Sequence, residues 1–391
     1  MSHPTAPVLS FTFPIERAGN AIQGLPEGTY TIKITGFVKK LHKVAELAGA
    51  LANTRFEDGG TSSEKRIYLD LTELEGLQFI GRWGTRFSRE NSEYNGFRNA
   101  SYLVSISLPL GIEFIGNDVF AGCTNLKELT IPYGVQAIGD NTFKGCSSLE
   151  KLQLPTSLRS IGKEAFLGCT SLKELVIPDG VESISDNAFG GCVETVTRNG
   201  YTETVKREFV SCSSLEKLQL PASLRSIGKE AFLGCTSLKE LVIPDSVESI
   251  GDNAFSGYVE TVTRDEYGRE TVKREVVGCS SLEKLQLPAS LRSIPNEAFM
   301  GCTSLKELVI PDSVESIGDI AFAQCSSLEK IEMKGETPPV VHKGSFPYRV
   351  TIYVPAASVN AYSQKKIGGY YSMSWGYEWN IRAIEENTEG N

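Results

Sequence analysis

The apolar positions of this chain recur at a fixed spacing. Between residues 101 and 325 a unit of 23 residues reads L-x-x-L-x-L/I-P, then L/V-x-x-I-G, then A-F-x-G-C. In the unit 147–169 these positions are Leu149, Leu152, Leu154, Pro155, Leu158, Ile161, Ala165, Phe166 and Cys169. The stretch 151–154 alternates, so Leu152 and Leu154 point one way while Lys151 and Gln153 point the other, the period of a strand. Pro155 ends that strand because it has no N–H to give a ladder. A second short extended stretch, 157–161, closes on Gly162. The run 163–169 leaves room for about one helical or 3₁₀ turn. One unit has no core alone. Stacked copies set Leu on Leu, Ile on Ile and Phe on Phe, which predicts a solenoid. Eight full units follow the pattern: 101–123, 124–146, 147–169, 170–192, 213–235, 236–258, 280–302 and 303–325.

The period breaks twice, at 193–212 and at 259–279. Both inserts open on V-E-T-V-T-R and close on E-T-V-K-R-E, with a turn signal between: Asn199-Gly200 in the first, Asp265-Glu266-Tyr267-Gly268 in the second. Alternation around Asn-Gly predicts a β-hairpin, since a type I′ turn needs positive φ at both central residues. The inserts also lie within a block of about 66 residues that reads as a duplication, an origin that accounts for the copy without excluding a role. Two coils separate the hairpins, which puts their roots roughly 10 Å apart at strand-like spacing. Packing together as a small four-stranded flap is one arrangement this allows, and whether the two pair with each other is open at this level. Insertions in repeat arrays often map to the binding face. The tip residues Arg198, Tyr201, Arg264, Tyr267 and Arg269 are candidate contacts, Tyr and Arg being favoured interface anchors.

The flanks depart from the period. Residues 1–100 form the expected N-terminal cap: a strand in 28–34, an amphipathic helix over 38–56 with Val38, Leu41, Val44, Ala45, Ala48 and Leu51 on one face, and a lead-in coil from Arg66. Residues 326–391 form the expected C-terminal cap. Tyr370, Tyr371, Trp375, Tyr377 and Trp379 cluster there. They either close the last coil or offer aromatic contacts to a glycan or protein.

Charge sharpens the strand reading. The outward position of the first strand runs Glu128, Lys151, Glu174, Lys217, Glu240, Lys284, Glu307, Lys330, changing sign at every coil. The residue before it alternates in the opposite phase, and Arg159, Glu182, Arg225, Glu248, Arg292 and Glu315 repeat the device on the second stretch. Opposite charges across adjacent strands are favourable, and a slip by one coil would oppose like charges. Beside them runs a mildly apolar strip, Thr130, Gln153, Val176, Gln219, Val242, Gln286 and Val309. It is either plain sheet surface or a contact surface.

All nine cysteines fall in one register: Cys123, Cys146, Cys169, Cys192, Cys212, Cys235, Cys279, Cys302 and Cys325, with Tyr258 in the slot after Cys235. Coils about 4.8 Å apart with parallel Cα–Cβ bonds do not suit a disulfide, and no C-x-x-C spacing suggests zinc. The expectation is a structural ladder of buried free thiols.

Of 391 residues, 40% are hydrophobic and 22% charged, ordinary for a folded chain, and the net charge of −9 argues against a nucleic-acid partner. No apolar run reaches the roughly 20 residues that span a bilayer, and the first residues lack the form of a secretory signal. Only His3, His42 and His342 are available as imidazole bases, none in the repeats. Phosphate-loop, zinc-protease, nucleophile-elbow and dinucleotide motifs are missing, so neither an enzyme nor a cofactor is expected.

The recurring apolar, proline, glycine, phenylalanine and cysteine positions resemble the BspA-like leucine-rich repeats of bacterial surface proteins. The resemblance covers the eight units and the entry and exit coils. It implies a right-handed α/β-type coil stack, a cell-surface or secreted location, and an adhesin-like role. Partners of that kind are host matrix proteins such as fibronectin or fibrinogen, or another microbial surface protein. The alternatives are a spacer that only displays its termini and a carbohydrate-binding module built on the C-terminal aromatics.

Overall fold

The computed structural model describes residues 9–26, 28–37, 65–81, 96–199, 202–364 and 380–384. The helix expected over 38–56 lies outside these residues, as do Tyr201, Tyr370, Tyr371, Trp375, Tyr377 and Trp379. The chain divides into two compact units, Met1–Val181 and Glu182–Asn391. Both follow the leucine-rich repeat pattern.

In the first unit, parallel strands follow one another from coil to coil. Leu9–Pro14 pairs with Thr29–Phe37, which pairs with Arg66–Glu75, which pairs with Leu103–Ser107. Glu128–Thr130 and Lys151–Gln153 continue the series. A second ladder of two-residue strands joins Phe79–Ile80, Phe114–Ile115, Ala137–Ile138 and Ser160–Ile161. The N-terminal end adds a helix that the sequence reading does not contain, Ile15–Gln23, with Ile15, Ala18, Gly19 and Ile22 buried. That spacing is one helical face. The helix follows the first strand directly and connects it to its parallel neighbour, the crossover that parallel pairing requires.

In the second unit the same ladders recur. Glu240–Val242 pairs with Lys284–Gln286, and Glu307–Ile310 with Lys330–Met333 and then Thr351–Val354. Asn380–Ala383 adds a further parallel strand. Between Thr351–Val354 and that strand lie a 3₁₀ turn, Ala356–Ser358, and a short helix, Val359–Gln364. Tyr362 is buried there, and its hydroxyl donates to the Gly335 carbonyl at 2.8 Å. Burial pushes that phenol up to about 12.

The third side of each coil corrects the expectation of a helical or 3₁₀ turn. It is a pair of turns whose N–H groups bond the next coil. Asn141, Phe143 and Gly145 donate to the carbonyls of Lys163, Ala165 and Leu167 at 2.8, 2.8 and 2.7 Å. Two residues on this side of a coil have positive φ: Glu164 at 54° and Gly168 at 81° in one coil, Glu230 at 53° and Gly234 at 75° in another. Left-handed residues interrupt a helix. They free alternate N–H groups to point along the stack, where they meet carbonyls that a helix would have used internally.

The core is a set of columns. In the first unit Phe97, Phe120, Phe143 and Phe166 stack with centroids 5.7, 5.5 and 5.5 Å apart. In the second, Phe189, Phe232, Phe255, Phe299, Phe322 and Phe346 do so at 4.9 to 5.7 Å. The rings are nearly parallel because the coil repeat fixes both their spacing and their direction. The glycine that closes most second strands sits where coils crowd, although Ser185 and Pro295 take its place in two units. A Cβ on Gly251 would lie 2.5 Å from the Lys229 nitrogen.

Candidate protein-binding surface

The outward charges of the first strand meet as their alternation requires. Glu240 and Lys284 are directly opposed and 2.5 Å apart, and Glu307 and Lys330 are opposed at 3.8 Å. The flanking rows pair too: Lys239–Glu216 at 3.0 Å, Arg225–Glu248 at 2.7 Å and Arg292–Glu315 at 2.7 Å. The Glu240 carboxylate, which accepts from the Lys284 ammonium, holds that group above its ordinary range. These pairs neutralise the sheet face between them. In the first unit the strip beside them holds Thr130, Gln153 and Val176; in the second it holds Gln219, Val242, Gln286 and Val309, all on the solvent side. Val176 is 59% exposed and Val242 57%.

The cysteines separate into a column and an outlier. In the first unit the thiols of Cys123, Cys146 and Cys169 donate to the carbonyls of Phe97, Phe120 and Phe143, at 3.0, 3.1 and 3.2 Å. Cys325 does the same to Phe299 at 3.3 Å. Burial pushes Cys123 and Cys279 up to about 12 and moves Cys146 and Cys235 in the same direction. Cys302 is raised first by its hydrogen bond with Cys325 and then by burial. Cys192 is not in the column, a correction to its expected register. It is only half-buried and sits in a hairpin strand opposite Phe209. The residue that closes its coil is Cys212, whose N–H donates to the Phe189 carbonyl at 2.9 Å. Cys279 closes the next interrupted coil by bonding Phe255 at 3.2 Å, so Tyr258 is not in the column either.

This shift redraws the inserts. Antiparallel strands Gly190–Asn199 and Thr202–Ser211 form one hairpin, and Ser256–Arg264 and Glu270–Gly278 the other. Each starts three residues before its alternating stretch and replaces the two residues, such as Leu167-Gly168, that elsewhere join Phe to Cys. The roots hug the coils. A Cβ on Gly190 would lie 1.7 Å from the Leu233 carbonyl oxygen, and one on Gly278 2.2 Å from that of Met300.

The inner strands of the two hairpins pair with each other, joining them in one four-stranded antiparallel flap. One face carries Val196, Val205, Val262 and Val272 in a row across all four strands. On one side of that row run Glu194, Arg207, Glu260 and Arg274; on the other, Arg198, Glu203, Arg264 and Glu270. The opposite face carries Thr197, Thr204, Thr263 and Thr271 in register. Arg207 anchors the flap to the coil below through Glu230 at 3.6 Å.

Of the tip residues, Arg198 pairs with Glu203 at 2.8 Å, and Arg264 lies 2.8 Å from Glu270 and 3.6 Å from Glu203. Arg269 pairs with Asp265 at 2.7 Å and lies over the Tyr267 ring at 5.1 Å. The Arg269 and Tyr267 N–H groups and the Arg269 guanidinium hold the Asp265 carboxyl below its usual range. Tyr267 is 75% exposed. The flap thus presents paired charges, an apolar row and one open aromatic ring. Its inter-strand order was not legible in the sequence alone.

The family model for the BspA type leucine-rich repeat region matches residues 91–207, 202–264 and 271–349, more than half of the chain. The chain belongs to this family. BspA-type repeats are protein-interaction scaffolds. Among solved structures, the chain is 22% identical to a leucine-rich repeat protein from Bacteroides ovatus, covering 85% of this chain and 90% of that one, with a TM-score of 0.38. It is 20% identical to a leucine-rich cell-surface protein from Faecalibacterium prausnitzii, covering 98% and 89%, with a TM-score of 0.37. It is 18% identical to the pneumococcal vaccine antigen PcpA, covering 91% and 79%, with a TM-score of 0.40. The family assignment rests on the repeat model rather than on these likenesses. No curated relative matches the chain. Among the described residues, no helix is long and apolar enough to cross a membrane and no cluster of His, Cys, Asp and Glu suits a metal ion.

Proposed function

We propose that this BspA-type protein is a non-enzymatic, surface-exposed or secreted binding protein that recognises a protein partner through the flap and the neutral strip of its coils. The carrying observation is the flap. Two inserts that could have stood apart form one sheet with both faces open to solvent beyond its root. Tyr267, the valine row and the paired arginines offer aromatic, apolar and charged anchors, the mixture that protein interfaces favour. Host matrix proteins such as fibronectin or fibrinogen, or another microbial surface protein, are the partner class that the family likeness suggests.

The test is binding of the purified chain to immobilised matrix proteins at physiological salt. The comparison variant replaces Gly190–Ser211 and Ser256–Gly278 each by Leu-Gly, which restores the unbroken 23-residue period. Saturable binding by the wild type and at least ten-fold weaker binding by the folded variant is the expected result. Equal binding by both would remove the flap from the recognition surface, and silence across the panel would remove the matrix-protein reading.

A further inference from the structure

Each flap strand carries the same five-residue segment, E-T-V-T/K-R: 194–198, 203–207, 260–264 and 270–274. Antiparallel pairing of any two copies with valine on valine sets Glu against Arg at both ends. Inside a hairpin, the turn imposes that register. Between the hairpins no turn does, because whole coils separate their inner strands. Those strands nonetheless pair Val205 with Val262, Glu203 with Arg264 and Arg207 with Glu260. The segment therefore recognises a copy of itself by backbone pairing and charge complementarity.

The outer strands, Gly190–Asn199 and Glu270–Gly278, carry the same segment and are the two ends of the sheet. Among the described residues no further strand adds to either. Natural edges are usually blunted by lysine, proline or shortness. The Glu270–Gly278 edge has Lys273, while the Gly190–Asn199 edge has neither lysine nor proline and is exposed from Val193 to Asn199. Val196 in its centre is 53% exposed.

We propose that Gly190–Asn199 pairs antiparallel with the same strand of a second copy, about a two-fold axis at Val196, so that two flaps form one eight-stranded sheet. Val196 then faces Val196 of the second copy, Glu194 faces Arg198, and Thr195 faces Thr197. The contact is isologous and closes as a dimer, using strand addition for affinity and the charge order for register.

The experiment is sedimentation equilibrium of the full chain from low to high micromolar concentration, with Glu194→Arg and Arg198→Glu as single variants. The wild type is expected to dimerise. Each variant alone opposes like charges at both ends of the pairing and is expected to weaken dimerisation at least ten-fold. Mixed in equal amounts, the two variants are complementary and are expected to recover wild-type dimerisation as a heterodimer. Local damage to a hairpin would not be repaired by mixing, so recovery separates pairing from misfolding. A wild type that stays monomeric, variants that dimerise unchanged, or a mixture that fails to recover would each overturn the proposal. As a second measurement, Val196→Cys is expected to give a disulfide-linked dimer under mild oxidation, since directly opposed residues lie within disulfide reach. Cross-linking by Val272→Cys instead would overturn the choice of edge.

Discussion

Cys192 and Cys212 share a residue type and each stands three residues after a phenylalanine, but their surroundings separate them. Cys212 is buried, with its backbone tied to Phe189, whereas Cys192 is half-exposed on a hairpin. Native alkylation followed by peptide mass mapping should therefore label Cys192 first, with the buried thiols reacting only on unfolding. Equal labelling of Cys123 and Cys192 would contradict this placement. Glycine at the hairpin root is equally specific. Gly190→Ala puts a Cβ on the Leu233 carbonyl oxygen, and a methyl forced into such a contact typically costs about 1–3 kcal/mol. A lowered denaturant midpoint with an unchanged slope is the expected reading.

At the scale of the element, the strand charges set register more than stability. Exposed pairs contribute about 0–1 kcal/mol each, so Lys284→Glu should lower stability by no more than about that amount. The exchange Glu240→Lys with Lys284→Glu should restore that directly opposed pair but not the lost stability, because it sets like charges against Lys217 and Glu307 on the strands either side. Chemical denaturation of the single and double variants reads the difference. The third side of each coil makes a different point. Its residues look helical by composition, yet positive φ at positions such as Glu164 turns their N–H groups toward the next coil. Stacking bonds thus replace helical ones, and only the neighbouring coil supplies those acceptors.

For the whole molecule, the buried thiols predict a pH dependence. Cys123 and Cys279 are raised to about 12 by burial, while an unfolded thiol titrates near about 8.5. A raised folded value means that the stability is fully present below the unfolded value and is lost as pH rises toward the folded one. Denaturant midpoints should therefore fall progressively above about pH 8.5, and a midpoint that stays level to about pH 11 would contradict the buried column. The flap-less variant tests modularity. With Leu-Gly restored at both sites, far-UV circular dichroism should keep its coil signal and melting should remain cooperative, because each coil is stabilised mainly by its neighbours.

The sequence by itself determined the repeat fold, since a 23-residue period of apolar positions can bury its core only by stacking. It also determined the charge alternation, because strand periodicity puts those residues outward at the same place in every coil. It did not determine which cysteine closes an interrupted coil. Cys192 completes the A-F-x-G-C motif while Cys212 directly precedes the next unit, and the choice depends on where the chain leaves the stack, at Gly190 against Leu233. Nor did it determine that the inserts join. Each arm is compatible with standing alone, and the pairing of Val205 with Val262 exists only because the coils bring the two roots side by side. The helix Ile15–Gln23 escaped for a related reason: nine residues give too short a pattern to read before the strands on either side of it are known to be parallel neighbours.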